Sequence, residues 1–132
     1  MAIKDAPTKV IDDVGQEYDP TDVVGYMENT YPEMTSEFKK IQRDQYELFC
    51  RKQYDYGPQN IAVGTILKTP EDFKLSLLGL WFRMNDKIER MKTLLLRNGE
   101  NSVEGEPVTD SFSDVSNYGV MAQVVARGKW AK

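Results

Sequence analysis

The chain has 132 residues, and that length fits a single hydrophobic core rather than two. Its residues are 40% apolar and 29% charged, ordinary globular proportions, and no stretch approaches the ~20 uninterrupted apolar residues of a membrane span. The formal net charge of −4 speaks against a general nucleic-acid coat, which would be basic, but not against one small anionic ligand in a local positive site.

Residues 1–34 differ from the rest. They carry Asp5, Asp12, Asp13, Glu17, Asp19, Asp22, Glu28 and Glu33 with Pro7, Pro20 and Pro32, and their only apolar pairs are Val10-Ile11 and Val23-Val24. This composition reads as an acidic arm, partly extended or disordered, with a helical turn after Pro20. An arm that wraps a partner subunit, with Tyr18, Tyr26 and Tyr31 as anchors, is the alternative. The first residues, Met1 to Pro7, lack the apolar stretch of a secretory signal, so the expected location is cytoplasmic.

A helical domain is expected over 35–128. The first long helix should run from about Met34 to Tyr54, with Phe38, Ile41, Leu48 and Phe49 as its apolar face. Cys50, the single cysteine, reads there as a small buried hydrophobe. Gly57-Pro58 ends the helix, because glycine supplies a left-handed cap and proline cannot continue it. Residues 57–68 form a loop with a short helical turn near Asn60-Ile61-Ala62-Val63. The second helix opens on Thr69-Pro70-Glu71-Asp72, a cap residue followed by proline at the first position and an acid where a capping box needs one. It should reach about Leu96 and is apolar nearly all round, which places it at the centre of the fold or at a subunit interface. Trp81, Phe82 or Leu94–Leu96 would then lie near the contact of a homodimer or homotetramer. A polar loop follows over 97–108. The third helix should run from Thr109 or Asp110 to Arg127, burying Phe112, Val115, Val120, Met121, Val124 and Val125. The expected class is all-α: a bundle of three long helices plus short helical turns, with the acidic N-terminal arm.

The sequence contains no histidine, which removes His-based triads and His-ligated zinc. Any chemistry must rest on Asp, Glu, Lys, Arg, Tyr or a bound metal. Arg83, Asp86, Lys87 and Arg90 stand three and four residues apart in the apolar second helix, with Glu89 at their edge. Buried charges need partners or a ligand, so the stripe is either a salt-bridge network or a binding face. Asp110 and Asp114, at i and i+4, can converge on one point, where Mg²⁺ would relieve their repulsion; Asp110 could instead favour the helix dipole. Lys52, Tyr56 and Asn60 cluster where the first helix ends. Together these groups describe a nucleotide cleft, with acids for metal and bases for phosphate.

The ordered set Tyr56-Gly57-Pro58-Gln59-Asn60, Thr69-Pro70-Glu71-Asp72, Lys87-Ile88-Glu89-Arg90, Asp110 and Asp114-Val115-Ser116-Asn117-Tyr118-Gly119 resembles the phage nucleotide-modification-associated domains. That group lies near the MazG-like all-α nucleotide pyrophosphohydrolases, and the resemblance covers about residues 38–126. It implies a Mg²⁺-dependent protein of phage nucleotide metabolism, in the cytoplasm of the infected host. Such a protein would cleave a nucleoside triphosphate to monophosphate and pyrophosphate, or bind a nucleotide without cleaving it. On that reading Asp86, Asp110 and Asp114 hold metal, with Glu89 a ligand or base. Lys52, Lys87 and Arg90 take the phosphates, and Tyr56, Asn60 and Trp81 contact the base. The adjacent glutamates usual in the superfamily's first motif are absent, and aspartates stand at both acidic positions of the second.

Overall fold

The computed structural model describes residues 10–97, 100 and 102–132. Expectations for residues 1–9 and for Asn98-Gly99 lie outside that range. The described chain is all-α apart from one small ribbon, and it divides into two compact units at Asp44/Gln45.

In the first unit the acidic arm folds locally. Strands β1 (Val10–Ile11) and β2 (Glu17–Tyr18) pair antiparallel, Val10 opposite Tyr18. Asp12 organises the turn between them: its Oδ1 accepts from the backbone N–H of Val14 at 3.0 Å and of Gln16 at 2.8 Å. Gly15, at φ +88°, supplies the left-handed residue the turn needs. Helix α1 (Val23–Thr30) starts at Asp22, whose carboxylate accepts from the Gly25 N–H at 2.9 Å. The Tyr26 hydroxyl donates to the second oxygen of Asp12, and its ring lies 4.2 Å from that of Tyr18. The hydrogen bond from Tyr26 is the main reason the Asp12 carboxyl sits below the usual carboxylate range. The same bond raises the Tyr26 phenol. The ribbon was not visible in the sequence, because its two-residue strands are too short for an alternating pattern and its turn is held by the Asp12 carboxylate.

Helix α2 (Pro32–Tyr56) begins in the first unit and extends into the second. The apolar face expected for it is not buried: Phe38, Ile41 and Leu48 are exposed. The side turned inward in the second unit is instead the half-buried row Gln45, Phe49, Lys52 and Gln53. Cys50 lies off that row and is exposed, not buried as expected. Gly57, at φ +78°, ends the helix, and a 3-10 turn (Pro58–Ile61) follows.

Helix α3 (Pro70–Leu96) opens with the capping box its sequence announces. The Thr69 hydroxyl accepts from the Asp72 N–H at 3.1 Å, and Asp72 Oδ2 accepts in return from Thr69 at 3.2 Å and Lys68 at 3.0 Å. These backbone donors, Lys68 first, hold the Asp72 carboxyl low. Helix α4 (Val108–Ala126) packs along α3. The core joins Ile61, Leu80, Met121, Val125 and Trp130, with half-buried Phe49, Phe73, Leu77 and Tyr118 around it. Each such side chain contributes about 1.5–3 kcal/mol through burial. Two polar closures accompany them. The Ser76 hydroxyl donates to the Ile61 carbonyl at 2.6 Å, and the Trp130 indole N–H donates to the Pro58 carbonyl at 2.8 Å.

Although α3 is apolar all round, only one side is buried, through Ser76, Leu80 and Leu94. Leu75, Leu78, Trp81, Phe82, Ile88 and Leu95 form an exposed outer face, with Trp81 56% and Phe82 61% exposed. Leu94 therefore belongs to the inside of the second unit, not to the contact face expected for it. In α4 the buried positions are Ser111, Met121 and Val125, whereas Phe112 and Val120 are exposed. The two serines lie inside with partners, Ser76 on the Ile61 carbonyl and Ser111 on the Arg90 guanidinium, so apolar character alone does not choose a side.

Candidate functional site

Three helices bring charge to one place in the second unit. Lys52 comes from the inward row of α2, Lys87 and Arg90 from the buried side of α3, and Asp110 and Asp114 from the first two turns of α4. On α3 the positions 76, 80, 83, 87, 90 and 94 follow one another at three or four residues. The cations thus continue the row that buries Ser76, Leu80 and Leu94.

Asp114 is the centre. Lys52 Nζ donates to its Oδ1 at 3.3 Å, and Lys87 Nζ approaches its Oδ2 at 3.1 Å. The Asp114 side chain is 16% exposed, while both lysines are little more than one-third exposed. One carboxylate therefore joins α2, α3 and α4 through two ammonium groups. Its desolvation is offset on both oxygens, which a single exposed pair would not achieve.

A cavity of about 350 Å³ opens beside this clamp, lined by Lys52, Lys87, Arg90, Asp110, Ser111 and Asp114 among others. Arg90 forms part of its wall. One guanidinium nitrogen donates to the buried Ser111 hydroxyl at 2.6 Å, and the other terminal nitrogen donates to the Glu106 carbonyl. Arg90 thereby fastens α3 to the residues that lead into α4. Asp110 lies in the first turn of α4, which begins on Pro107 with no side-chain cap; it lines the cavity without closing the helix end.

On the other side of the clamp lies a smaller cavity of about 70 Å³, whose walls include Tyr56, Asn60, Arg83, Asp114, Asn117 and Tyr118. Lys52 and Asp114 line both cavities. Asn60 is fixed in place: its amide N–H groups donate to Gln53 Oε1 at 3.1 Å and to the Gly57 carbonyl, and its oxygen accepts from Arg83 at 3.4 Å. Asn117 donates to the Gln45 carbonyl at 3.3 Å.

The residues singled out in the sequence are thus partly gathered. Lys52, Lys87, Arg90, Asp110 and Asp114 share one cavity; Tyr56 and Asn60 line its neighbour. Asp86 is exposed and enters no ion pair among the described residues. Glu89 is exposed and lines a separate hollow with Arg90, Thr93 and Arg97. Trp81 stands on the exposed outer face of α3. Adjacent helix positions are rotated by about 100°, so Asp86 and Glu89 do not share the inward direction of Lys87 and Arg90.

The donor set decides how Mg²⁺ could be held. Among the described residues, no group of three or more Asp, Glu, Cys or His side chains is placed to hold a metal ion. Asp114 is already engaged by two ammonium groups, and Asp86 and Glu89 lie outside the cavity. These residues do not make a resident Mg²⁺ centre.

Sequence reasoning missed Ser111, which holds Arg90, and Gln53 and Gln45, which hold Asn60 and Asn117. Small polar residues at helix-contact spacing, such as Ser76 and Ser111, were the available signal. No helix among the described residues is long and apolar enough to cross a membrane. Comparison with protein-family models, with curated proteins and with solved structures finds no match.

Proposed function

We propose that the second unit binds a nucleotide, with its phosphates in the larger cavity and its base toward the smaller one. The observation that supports this reading most directly is the meeting of Lys52, Lys87 and Arg90 on one cavity of about 350 Å³. That size lies within the range of small-molecule sites. The lysines offer compact charges that can turn toward phosphate oxygens, and Arg90 lines the same space. Tyr56, Asn117 and Tyr118 offer aromatic and amide surface on the other side of the clamp. The chain resembles phage nucleotide-modification-associated and MazG-like proteins in its motif order, which agrees with a nucleotide ligand.

A second reading adds hydrolysis. Asp110 stands one turn from Asp114 on the wall of the phosphate cavity. A magnesium nucleotide would bring its own metal, and Asp110 is the carboxylate of the cavity wall that would help to hold it. The protein would then act as a nucleoside triphosphate pyrophosphohydrolase. We also place the exposed outer face of α3 at the contact of a homodimer or homotetramer. With Leu96, its seven large exposed apolar side chains make more apolar surface than monomers usually expose.

The test is a deoxynucleotide panel with and without Mg²⁺, read by calorimetry and by pyrophosphate release. Binding at 100 times Kd should stabilise the protein by about 2.7 kcal/mol. Lys87→Met should weaken binding by about 1.5–3 kcal/mol, the scale of a charge-assisted hydrogen bond. Absence of binding by every nucleotide and by inorganic tripolyphosphate refutes the proposal. Pyrophosphate release selects the hydrolase reading.

A further inference from the structure

The geometry points to Asp114 as a built-in counter-ion that occupies a phosphate position, so that the cavity takes the polyphosphate of its ligand as a metal-free anion. This inference rests on the nucleotide reading above and goes further, since it fixes the charge state of the ligand and reverses the role that the sequence suggests for Asp114. As a metal ligand, Asp114 would present its oxygens to Mg²⁺. In the structure each oxygen instead faces an ammonium group, Lys52 at 3.3 Å and Lys87 at 3.1 Å. Those two cations are the ones a phosphate in the adjoining cavity would use.

The charges order themselves by exposure. Asp110 is an exposed carboxylate on this cavity, so water and salt screen its effect on a bound anion. Asp114 is the shielded one, at 16% exposure, and its field reaches the cavity with less screening. Without ligand it balances one of the clamp's two positive charges and gives each half-buried ammonium group a partner. With ligand it opposes the incoming phosphate while sharing its lysines. Removing the charge while keeping the shape should therefore favour the anion. One unit charge about 6 Å away, in the intermediate dielectric of a half-open site, corresponds to about tenfold in affinity.

The experiment measures binding of inorganic tripolyphosphate and of a deoxynucleoside triphosphate to the full chain, by calorimetry, with excess chelator or with Mg²⁺. Asp114→Asn is compared with Asp110→Asn and Lys87→Met. The expected result is a gain of about tenfold or more for Asp114→Asn in chelator, a change under threefold for Asp110→Asn, and a loss for Lys87→Met. Asp114→Asn binding weaker than wild type, or wild-type binding only with Mg²⁺, overturns the inference. If Asp114→Asn fails to fold, the wild-type arm still decides. Affinity in chelator equal to or above that in Mg²⁺ supports the counter-ion, and affinity that requires Mg²⁺ refutes it. Failure of tripolyphosphate and nucleotide alike to bind wild type, Asp114→Asn and Asp110→Asn overturns the inference together with the nucleotide reading. Binding with the opposite response to Asp114→Asn overturns the inference alone.

Discussion

Replacing Arg90 by methionine separates a structural brace from a phosphate ligand. Methionine keeps much of the stem volume and removes every donor. In the folded protein the guanidinium donates to Ser111 Oγ at 2.6 Å and to the Glu106 carbonyl. Ser111 is 1% exposed, so its oxygen loses a charged donor in a place water does not reach. A hydrogen bond to a charged group contributes about 1.5–3 kcal/mol. The exposed position of Glu106 lets water replace the second bond, so that loss should stay near ~0.5 kcal/mol. The Ser111 hydroxyl can also turn to a carbonyl one helical turn back, which recovers part of the first. The net cost should be about 1.5–3 kcal/mol. No carboxylate is stranded, because the partners are a hydroxyl and a carbonyl, so the loss stays below the ~3–5 kcal/mol of a broken buried ion pair. Urea unfolding of Arg90→Met, Ser111→Ala and the double mutant should give a coupling of about 1–2 kcal/mol. A destabilisation under about 0.5 kcal/mol, within the range of ordinary surface changes, with a tenfold loss of nucleotide affinity would refute the brace and leave Arg90 with its phosphate role alone.

Three other outcomes follow from the same geometry. Asp12 is held low by Tyr26 and by backbone donors, so its contribution to the first unit is present above the unfolded carboxylate range and is lost as pH falls through its lower folded value; Tyr26 is raised, so its contribution is present below the ordinary phenol range and is lost as pH rises through its higher folded value. Ring resonances of Tyr18 and Tyr26, followed by NMR, should therefore stay constant from about pH 5 to 9 and change at both ends, and a transition near neutrality would contradict the assignment. Asn117→Leu should fill the smaller cavity, leave tripolyphosphate affinity unchanged and remove the extra affinity of a nucleotide over tripolyphosphate; loss of both affinities would place the phosphates there instead. A Trp81→Lys, Phe82→Glu double substitution on the exposed face of α3 should reduce the solution mass to that of one chain without lowering stability per subunit, and a wild-type protein already of that mass at micromolar concentration would remove the oligomer.

What could be read in the sequence is what nearby residues decide among themselves. The start of α3 follows from Thr69-Pro70-Glu71-Asp72, because a capping box closes within four residues. The end of α2 follows from Gly57, because the left-handed conformation there suits glycine. The direction of each helix's faces was not local. Trp81 and Leu80 are neighbours of similar apolar character, yet one is exposed and the other buried. Asp86 and Lys87 are neighbours too, and only Lys87 reaches Asp114. Spacing at three and four admits all of Arg83, Asp86, Lys87 and Arg90 to one broad side. Partners outside α3 then select three of them: Asn60 of the 3-10 turn takes Arg83, and α4 takes Lys87 and Arg90. The Lys52 clamp, closing over 62 positions of sequence, had no local signature.

The two tryptophans of the chain report on different parts of the second unit. Trp130 is 6% exposed, its indole N–H bound to the Pro58 carbonyl and its ring edge-on to Phe49 at 5.8 Å. Trp81 is largely in solvent beside Phe82. Their emission should differ in colour and in access to a soluble quencher: one blue-shifted and shielded, the other red-shifted and open. A single fluorescence titration would then follow two processes at once. Loss of the shielded component marks opening of the core, and protection of the open one marks a surface closing over α3. Core melting and association at that face can thus be timed against each other in the unlabelled protein.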